Sequence, residues 1–297
     1  MDDPLISIIM PAHQAEDTIL RATTSVLAQT WQNLELIIVS DDGCDYERLL
    51  RDEHGIQDRR IRQVGTDGVG TGDWNARNTG LAVCSSELVT IIDSDDTYAA
   101  DRLQEMVPMA LQDGASLDDT QILLGGDMVA SLLQSEEPTT GTAVPASAVL
   151  ILRDRVPVFP MWRRGIFDGR WRELPHASDV IFSLELLSAA PAMRVALNAG
   201  YQYFKRSGSM TMSESMTARS RAAYLSIIEA IAAGHYCLSP AIADVTLYEI
   251  AKNLNQAAPF AVALTENPGL THEMLAKQFN QTPMTEAERF AFFVGKS

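Results

Sequence analysis

Three carboxylates crowd into four residues at Asp93, Asp95 and Asp96, directly after the apolar run Leu88-Val-Thr-Ile-Ile. The β-branched run reads as a buried strand. Loops at the carboxyl ends of strands in open α/β sheets are where ligands sit. Acids this close repel one another and stay ionised only where a cation or hydrogen-bond donors neutralise them. Hard oxygen donors suit Mg²⁺ or Mn²⁺, and Mg²⁺ is usually held by one or two carboxylates plus substrate phosphates. The pattern points to metal-assisted diphosphate chemistry. The competing reading is a solvated acidic turn.

The elements that must position these acids alternate along the first 130 residues. Leu5–Met10 is an apolar strand closed by Pro11, and Asp17 is placed to cap a helix through about Ala28. Leu34–Ser40 is a second strand, ending in Asp41-Asp42-Gly43, and Asp45–Glu53 a short helix. Ile61–Val64 is a third strand, and a loop from Gly65 to Gly72 leads into a helix over Asp73–Val83. The acid-ended strand, a helix over Asp101–Gln112 and a strand over Gln121–Val129 follow. Such alternation implies βαβ units around a parallel sheet. Ser135–Ser147 reads as a loop, and Arg153–Arg172 as loop or short strands. Ser178–Ala189 has a helical apolar pattern, and Ala199–Lys205 is strand-like. From Met216 the chain reads helical, with breaks at Pro240, Pro259–Pro268 and Pro283. The division drawn is 1–214 and 215–297.

Composition narrows the function classes. The 297 residues are 46% hydrophobic and 21% charged, ordinary globular usage. A formal net charge of −16 argues against nucleic acid as partner, since the phosphate backbone would be repelled. It leaves room for an anionic ligand at a metal, which inverts the local sign. Cys44, Cys84 and Cys237 have no metal-ligand spacing, which fits a reduced, cytoplasmic protein. The start Met1-Asp-Asp-Pro lacks a basic signal-peptide region, and Ala222–Ala233 is too short to span a bilayer. Peripheral membrane association and homodimerisation are both compatible with the sequence.

If the sheet forms as read, Pro11-Ala12-His13, Asp41-Asp42 and Asp93–Asp96 all lie at its carboxyl edge, with Arg77-Asn78 on the neighbouring helix. Five motifs in this order resemble the family-2 type of GT-A glycosyltransferases: Ile8-Ile-Met-Pro-Ala-His13, Ser25-Val-Leu-Ala-Gln-Thr-Trp31, Leu36-Ile-Ile-Val-Ser-Asp-Asp-Gly43, Ala76-Arg-Asn-Thr-Gly80 and Ile92-Asp-Ser-Asp-Asp96. The resemblance is dense over residues 5–110 and thins towards residue 210. It implies a Rossmann-like αβα sandwich with a mostly parallel sheet, followed here by a helical C-terminal region. It also implies an inverting transfer of sugar from a nucleoside-diphosphate donor to an acceptor hydroxyl, in polysaccharide or other glycan assembly. The acceptor would be a glycan, a lipid-linked saccharide or another hydroxyl compound.

Carried over residue by residue, the resemblance gives Pro11, Ala12 and His13 to the nucleobase pocket. His13 departs from the more usual Tyr. Asp41 would accept a hydrogen bond from the base, and Arg77 would support the nucleotide end. Asp93-Ser94-Asp95 would be the DxD motif, with Asp93 and Ser94 near the donor and Asp95 on Mn²⁺ or Mg²⁺. Asp93 and Asp96 are alternative ligands. A base must take the acceptor proton. Asp179 stands in its place, with Ser178 where the family usually has Glu; the alternative is that Asp179 only stabilises a helix N-terminus. Trp162 and Arg163, with Arg164 and Trp171, are candidates for an acceptor pocket or a structural rim. Lys205 and Arg206 are candidates for the diphosphate.

Rival readings meet specific obstacles. Asp93-Ser-Asp-Asp-Thr97 also fits the DxDxT nucleophile of haloacid-dehalogenase-like phosphatases. No Lys occurs between that motif and Lys205, and Asp118-Asp119 reads as preceding a strand. A nucleotidyltransferase would need a Gly-rich basic motif that Leu5–Glu16 lacks. The stretch Gly65–Gly72 fits neither a P-loop nor GxGxxG. A homologue that binds donor without turnover is the remaining alternative.

Overall fold

The computed structural model describes residues 3–133, 142–153, 156–167, 169–197, 199–205 and 216–266. In chain order these form β1 (Ile6–Ala12), α1 (Ile19–Leu27), β2 (Leu34–Ser40), α2 (Tyr46–His54), β3 (Ile61–Gly65), α3 (Asp73–Val83), β4 (Leu88–Ile91), β5 (Thr97–Tyr98) and α4 (Arg102–Asp113). Then come β6 (Ala115–Asp118), β7 (Gln121–Leu124), β8 (Asp127–Ser131), β9 (Ala143–Pro145), α5 (Ala148–Arg153), β10 (Met161–Arg163), α6 (Ser178–Ala189), β11 (Arg194–Ala196) and β12 (Tyr201–Lys205). Two further helices are α7 (Met216–Ala232) and α8 (Pro240–Glu266).

The chain divides into two compact units, Met1–Glu173 with Ser178–Lys205, and Leu174–Ala177 with Arg206–Ser297. The division drawn from sequence, at residue 214, falls outside the described residues, as does Arg206.

In the first unit eight strands run in the order β3-β2-β1-β4-β10-β6-β11-β9. β3, β2, β1 and β4 are parallel, β10 lies antiparallel between β4 and β6, β11 is parallel to β6, and β9 is antiparallel to β11. The result is the mixed, mostly parallel αβα arrangement expected. All of β4 and all but one residue each of β1 and β2 are buried, as strands covered on both faces must be. α3 packs on β1, β2 and β3, and α4 on β10, β6 and β11. A smaller sheet, β5-β12-β7-β8, is tied to the same unit. In the second unit α7 packs on α8.

Local chemistry explains most boundaries. Asp45 caps α2, its Oδ1 accepting from the Arg48 N–H at 2.9 Å, and Gly55 ends the helix at φ 68°. α1 buries Ile19, Ala22, Thr23 and Val26, one helical stripe. Its N-cap is Thr18 rather than Asp17. The strand expected over Gln121–Val129 is a hairpin. Gly125 and Gly126, at φ 63° and 98°, provide the two left-handed positions of a tight turn. The short strand β6 was not legible in sequence, so Asp118-Asp119 follows one strand as well as preceding another, β7. Within Ser135–Ser147 residues 142–147 are described and contain β9; the rest lies outside the described residues. α8 begins at Pro240, where a missing N–H costs nothing, and runs on through Pro259 instead of breaking there.

Candidate active site

β4 ends at Ile91, two residues before Asp93, and the chain turns there. The Asp96 N–H donates to the Asp93 carbonyl at 3.1 Å, so Asp93–Asp96 is a closed turn with Ser94 and Asp95 at its middle positions. The Tyr201 hydroxyl accepts from the Asp93 N–H and donates to the Asp96 carboxylate, each at 2.8 Å. The Phe204 N–H donates to the other Asp96 oxygen at 2.8 Å. From α1, the Arg21 guanidinium donates to the Asp95 carbonyl and stacks 3.8 Å over the Phe204 ring.

Asp96 is therefore an interior group, 0% exposed, with both carboxylate oxygens engaged by β12. This corrects its reading as an alternative metal ligand. Burial, then Asp95 and Asp93, push the Asp96 pKa well up. Asp93 is also pushed up, by burial and by Asp95, although Arg77 opposes the shift. A cation beside these acids would reverse that balance.

Arg77 is the hub of the site. It is buried on α3, with one guanidinium nitrogen 2.8 Å from Asp73 and the other 3.0 Å from Asp93. Burial alone would lower its pKa, but Asp93, Asp73 and Asp179 together hold it up. Asp179 lies in the first turn of α6, and its charge acts on the same guanidinium that holds Asp93. The structure thus pairs Asp73 and Asp93 on one arginine. Next to Arg77, Asn78 donates to the Trp171 carbonyl at 2.9 Å and accepts from its N–H at 3.0 Å. Gly80 allows α3 to lie against β1: a Cβ there would sit 2.4 Å from Ile9 Cγ2.

The paired acids after β2 hold the loops at the carboxyl ends of β1 and β2. Asp41 Oδ1 accepts from the Thr66 hydroxyl at 2.8 Å and from the Thr71 N–H and hydroxyl at 3.0 and 2.6 Å. Its Oδ2 accepts from the Gly72 N–H at 3.0 Å. Burial raises the Asp41 pKa, but donors from Thr71, Thr66 and Gly72 outweigh it and leave the carboxylate below its usual range. Asp41 thereby fastens the glycine loop that opens α3, a role the sequence did not disclose. His13 Nδ1 lies 3.1 Å from the Asp41 carbonyl; a carbonyl only accepts, so Nδ1 carries the proton. Asp42 accepts from Gln14, Cys44, Tyr46 and Ser40 and fixes the exit of β1, where Gln14 stands at φ 50°.

Pro11, Ala12, His13, Asp41, Asp93, Ser94 and Asp95 all fall at the carboxyl ends of β1, β2 and β4, with Arg77 alongside. Two candidates do not join them. Trp162 is 1% exposed, edge-on to Trp171 at 5.7 Å and to Phe182 at 5.1 Å, and belongs to the core. Arg163 pairs in register with Leu88, the start of β4, and forms an ion pair with Glu87 at 3.1 Å. It is at the opposite edge of the sheet. Arg164 donates to the Cys84 carbonyl at 2.6 Å at that same edge. Lys205 ends β12, one residue beyond Phe204. Sequence reading missed Tyr201 and Arg21, whose signal was only a tyrosine in a strand and an arginine in a helix.

Among the described residues, no three His, Cys, Asp or Glu side chains form a ready-made metal cluster. With Asp96 turned inward and Asp93 paired to Arg77, the donor set suits a cation carried largely by substrate phosphates, not a protein cage.

The family model for glycosyl transferase family 2 matches residues 7–171, more than half of the chain. The chain belongs to this family. Over 116 residues it is 40% identical to the UDP-Glc:alpha-D-GlcNAc-diphosphoundecaprenol beta-1,3-glucosyltransferase WfgD of Escherichia coli, covering 39% of this chain and 45% of that protein. Over 221 residues it is 28% identical to the succinoglycan biosynthesis protein ExoO of Rhizobium meliloti, covering 70% and 63%. The match thus spans less than two thirds of either relative. Among solved structures, S. aureus TarS 1–349 in complex with UDP-GlcNAc superposes with a TM-score of 0.61 at 19% identity, covering 84% of this chain and 72% of that 1–349 chain. That likeness establishes the GT-A fold. No helix among the described residues is long and apolar enough to cross a membrane.

Proposed function

We propose that this chain is an inverting, metal-assisted glycosyltransferase that moves a sugar from a nucleoside-diphosphate donor to an acceptor hydroxyl in polysaccharide assembly. The observation that carries the reading is the buried Arg77 bridging Asp73 and Asp93, beside the Asp93–Asp96 turn. The base and ribose would lie among His13, Ala12 and the glycine loop that Asp41 fastens. Asp95, with Asp93 beside it, would hold Mg²⁺ or Mn²⁺ together with the donor diphosphate. When bound, that ion supplies charge neutralisation for the leaving nucleoside diphosphate. Lys205, next to the turn's β12 partner Phe204, would add positive charge there.

Asp179 is the proposed general base. It takes the proton from the acceptor hydroxyl as that oxygen attacks the anomeric carbon. The E. coli relative is named for a lipid-linked saccharide acceptor, and an acceptor of that kind is the one proposed here. The three free cysteines and the nucleotide-sugar chemistry support a cytoplasmic setting.

Asp179→Asn tests the assignment. Turnover should fall by about 10²–10⁴-fold, with nucleotide affinity unchanged. Equal loss of binding and turnover would make Asp179 a support for Arg77 instead of a base. An unmodified chain that binds nucleotide and turns over no donor would make the protein a binding homologue.

A further inference from the structure

Tyr201 is 0% exposed and lies against the acidic turn. Its hydroxyl makes two hydrogen bonds of 2.8 Å, one from the first amide of the turn at Asp93 and one to the last carboxylate at Asp96. Both ends of the turn therefore meet on a single oxygen atom. The ring cannot swing away. It is stacked on Phe159, with centroids 3.7 Å apart and planes 6° apart, and lies edge-on to Tyr98 at 5.7 Å. Phenylalanine would fill the same space without a hydroxyl to desolvate. Both hydrogen bonds of that hydroxyl go to the turn, none to the surrounding core.

We infer that Tyr201 is a positioning residue for the cation–diphosphate site: its hydroxyl fixes the Asp93–Asp96 turn and so the direction in which Asp95 is presented. The inference rests on the donor-site reading above. Groups that orient metal-binding carboxylates from behind often matter nearly as much as the ligands themselves, because they fix geometry that the cation would otherwise have to impose. Without the hydroxyl, the Asp93 N–H loses its acceptor and Asp96 one donor. The turn then has to be ordered at the moment of binding. Metal-free contacts to the nucleobase, made at the ends of β1 and β2, do not pass through Tyr201.

The test is calorimetric titration of the full chain with UDP, GDP, ADP and CDP, each in EDTA and in Mn²⁺. In the unmodified protein one nucleotide should bind more tightly with Mn²⁺. In Tyr201→Phe the EDTA affinity should be unchanged while the gain from Mn²⁺ shrinks about tenfold or more. Phe159→Leu, which loosens the ring stack and keeps the hydroxyl, should melt earlier yet keep the Mn²⁺ gain. If Tyr201→Phe does not fold, Asp96→Ala removes the acceptor of the same hydroxyl and should show the same selective loss. An unchanged Mn²⁺ gain in Tyr201→Phe, or an equal loss in EDTA and in Mn²⁺, overturns the positioning role and leaves the donor site standing. No Mn²⁺ gain with any nucleotide in the unmodified protein overturns the donor-site reading and this inference with it.

Discussion

Asp41 and Asp96 show how much two aspartates in one site can differ. Asp41 is held below the usual carboxylate range because the donors of the glycine loop outweigh its burial. Glu35 is lowered too: against its burial it accepts from Ser7, Ser85 and Arg62 where β1, β2 and β3 begin. A carboxylate with a depressed folded pKa contributes stability that is present above its unfolded value, about 3.9 for Asp, and is lost as pH falls through the folded one. Thermal stability should therefore fall progressively below about pH 4, and Asp41→Ala should flatten that acid limb. Arg102 is the opposite kind of residue, fully buried. It donates to Asp118 at 2.6 Å and the Phe159 carbonyl at 2.6 Å, under the Tyr98 ring. Asp118→Ala leaves this guanidinium uncompensated and should cost about 3–5 kcal/mol in urea unfolding. The sequence offered Asp118 only as a doubtful second acid of a phosphatase. It could not show that an arginine sixteen residues earlier would cancel its charge.

At the level of elements, several motifs quoted for their resemblance prove to be joints. In the stretch from Ser25 to Trp31, the Ser25 hydroxyl accepts from the Tyr98 N–H at 3.1 Å. Gln29 donates to the Ala99 carbonyl at 2.7 Å and accepts from the Leu103 N–H at 3.1 Å, and Trp31 donates to the Pro4 carbonyl at 3.1 Å. α1 is thereby clamped to the chain leaving the acidic turn. Gln29→Ala strands a buried amide and carbonyl and should cost about 1–3 kcal/mol. Gly80 joins α3 to β1 in the same spirit. Alanine there gains up to about 1 kcal/mol of helix propensity but meets Ile9 and Val39 side chains locked in the core. Overpacking of this kind costs about 1–3 kcal/mol, so Gly80→Ala should lower stability on balance and weaken nucleotide binding by shifting Arg77. Strand and helix periods were legible wherever elements exceeded about seven residues. β6, β9 and β10 were not, because three or four residues carry no period and their place is set by pairing with distant strands.

For the molecule as a whole, the order of strands and helices through β4 was legible because each element closes with its own turn chemistry. The carboxyl-edge position of the site followed from that order. The antiparallel insertion of β10 between β4 and β6 was not legible, and it is what sends Arg163 to the far edge and Trp162 into the core. The positioning groups Tyr201 and Arg21 come from elements 108 and 74 residues away from the acids whose backbone they hold.

The central claim is that the Asp93–Asp96 turn and Arg77 form a nucleoside-diphosphate site completed by a divalent cation. The most direct test is the melting temperature of the full chain against UDP, GDP, ADP and CDP, each with and without Mn²⁺. A nucleotide present at a hundred times its Kd should raise the melting temperature by about 5–10 °C. The account predicts that rise for one nucleotide with Mn²⁺, a smaller one in EDTA, and its loss in Asp95→Ala. No shift with any nucleotide, or an undiminished Mn²⁺-dependent shift in Asp95→Ala, would contradict it.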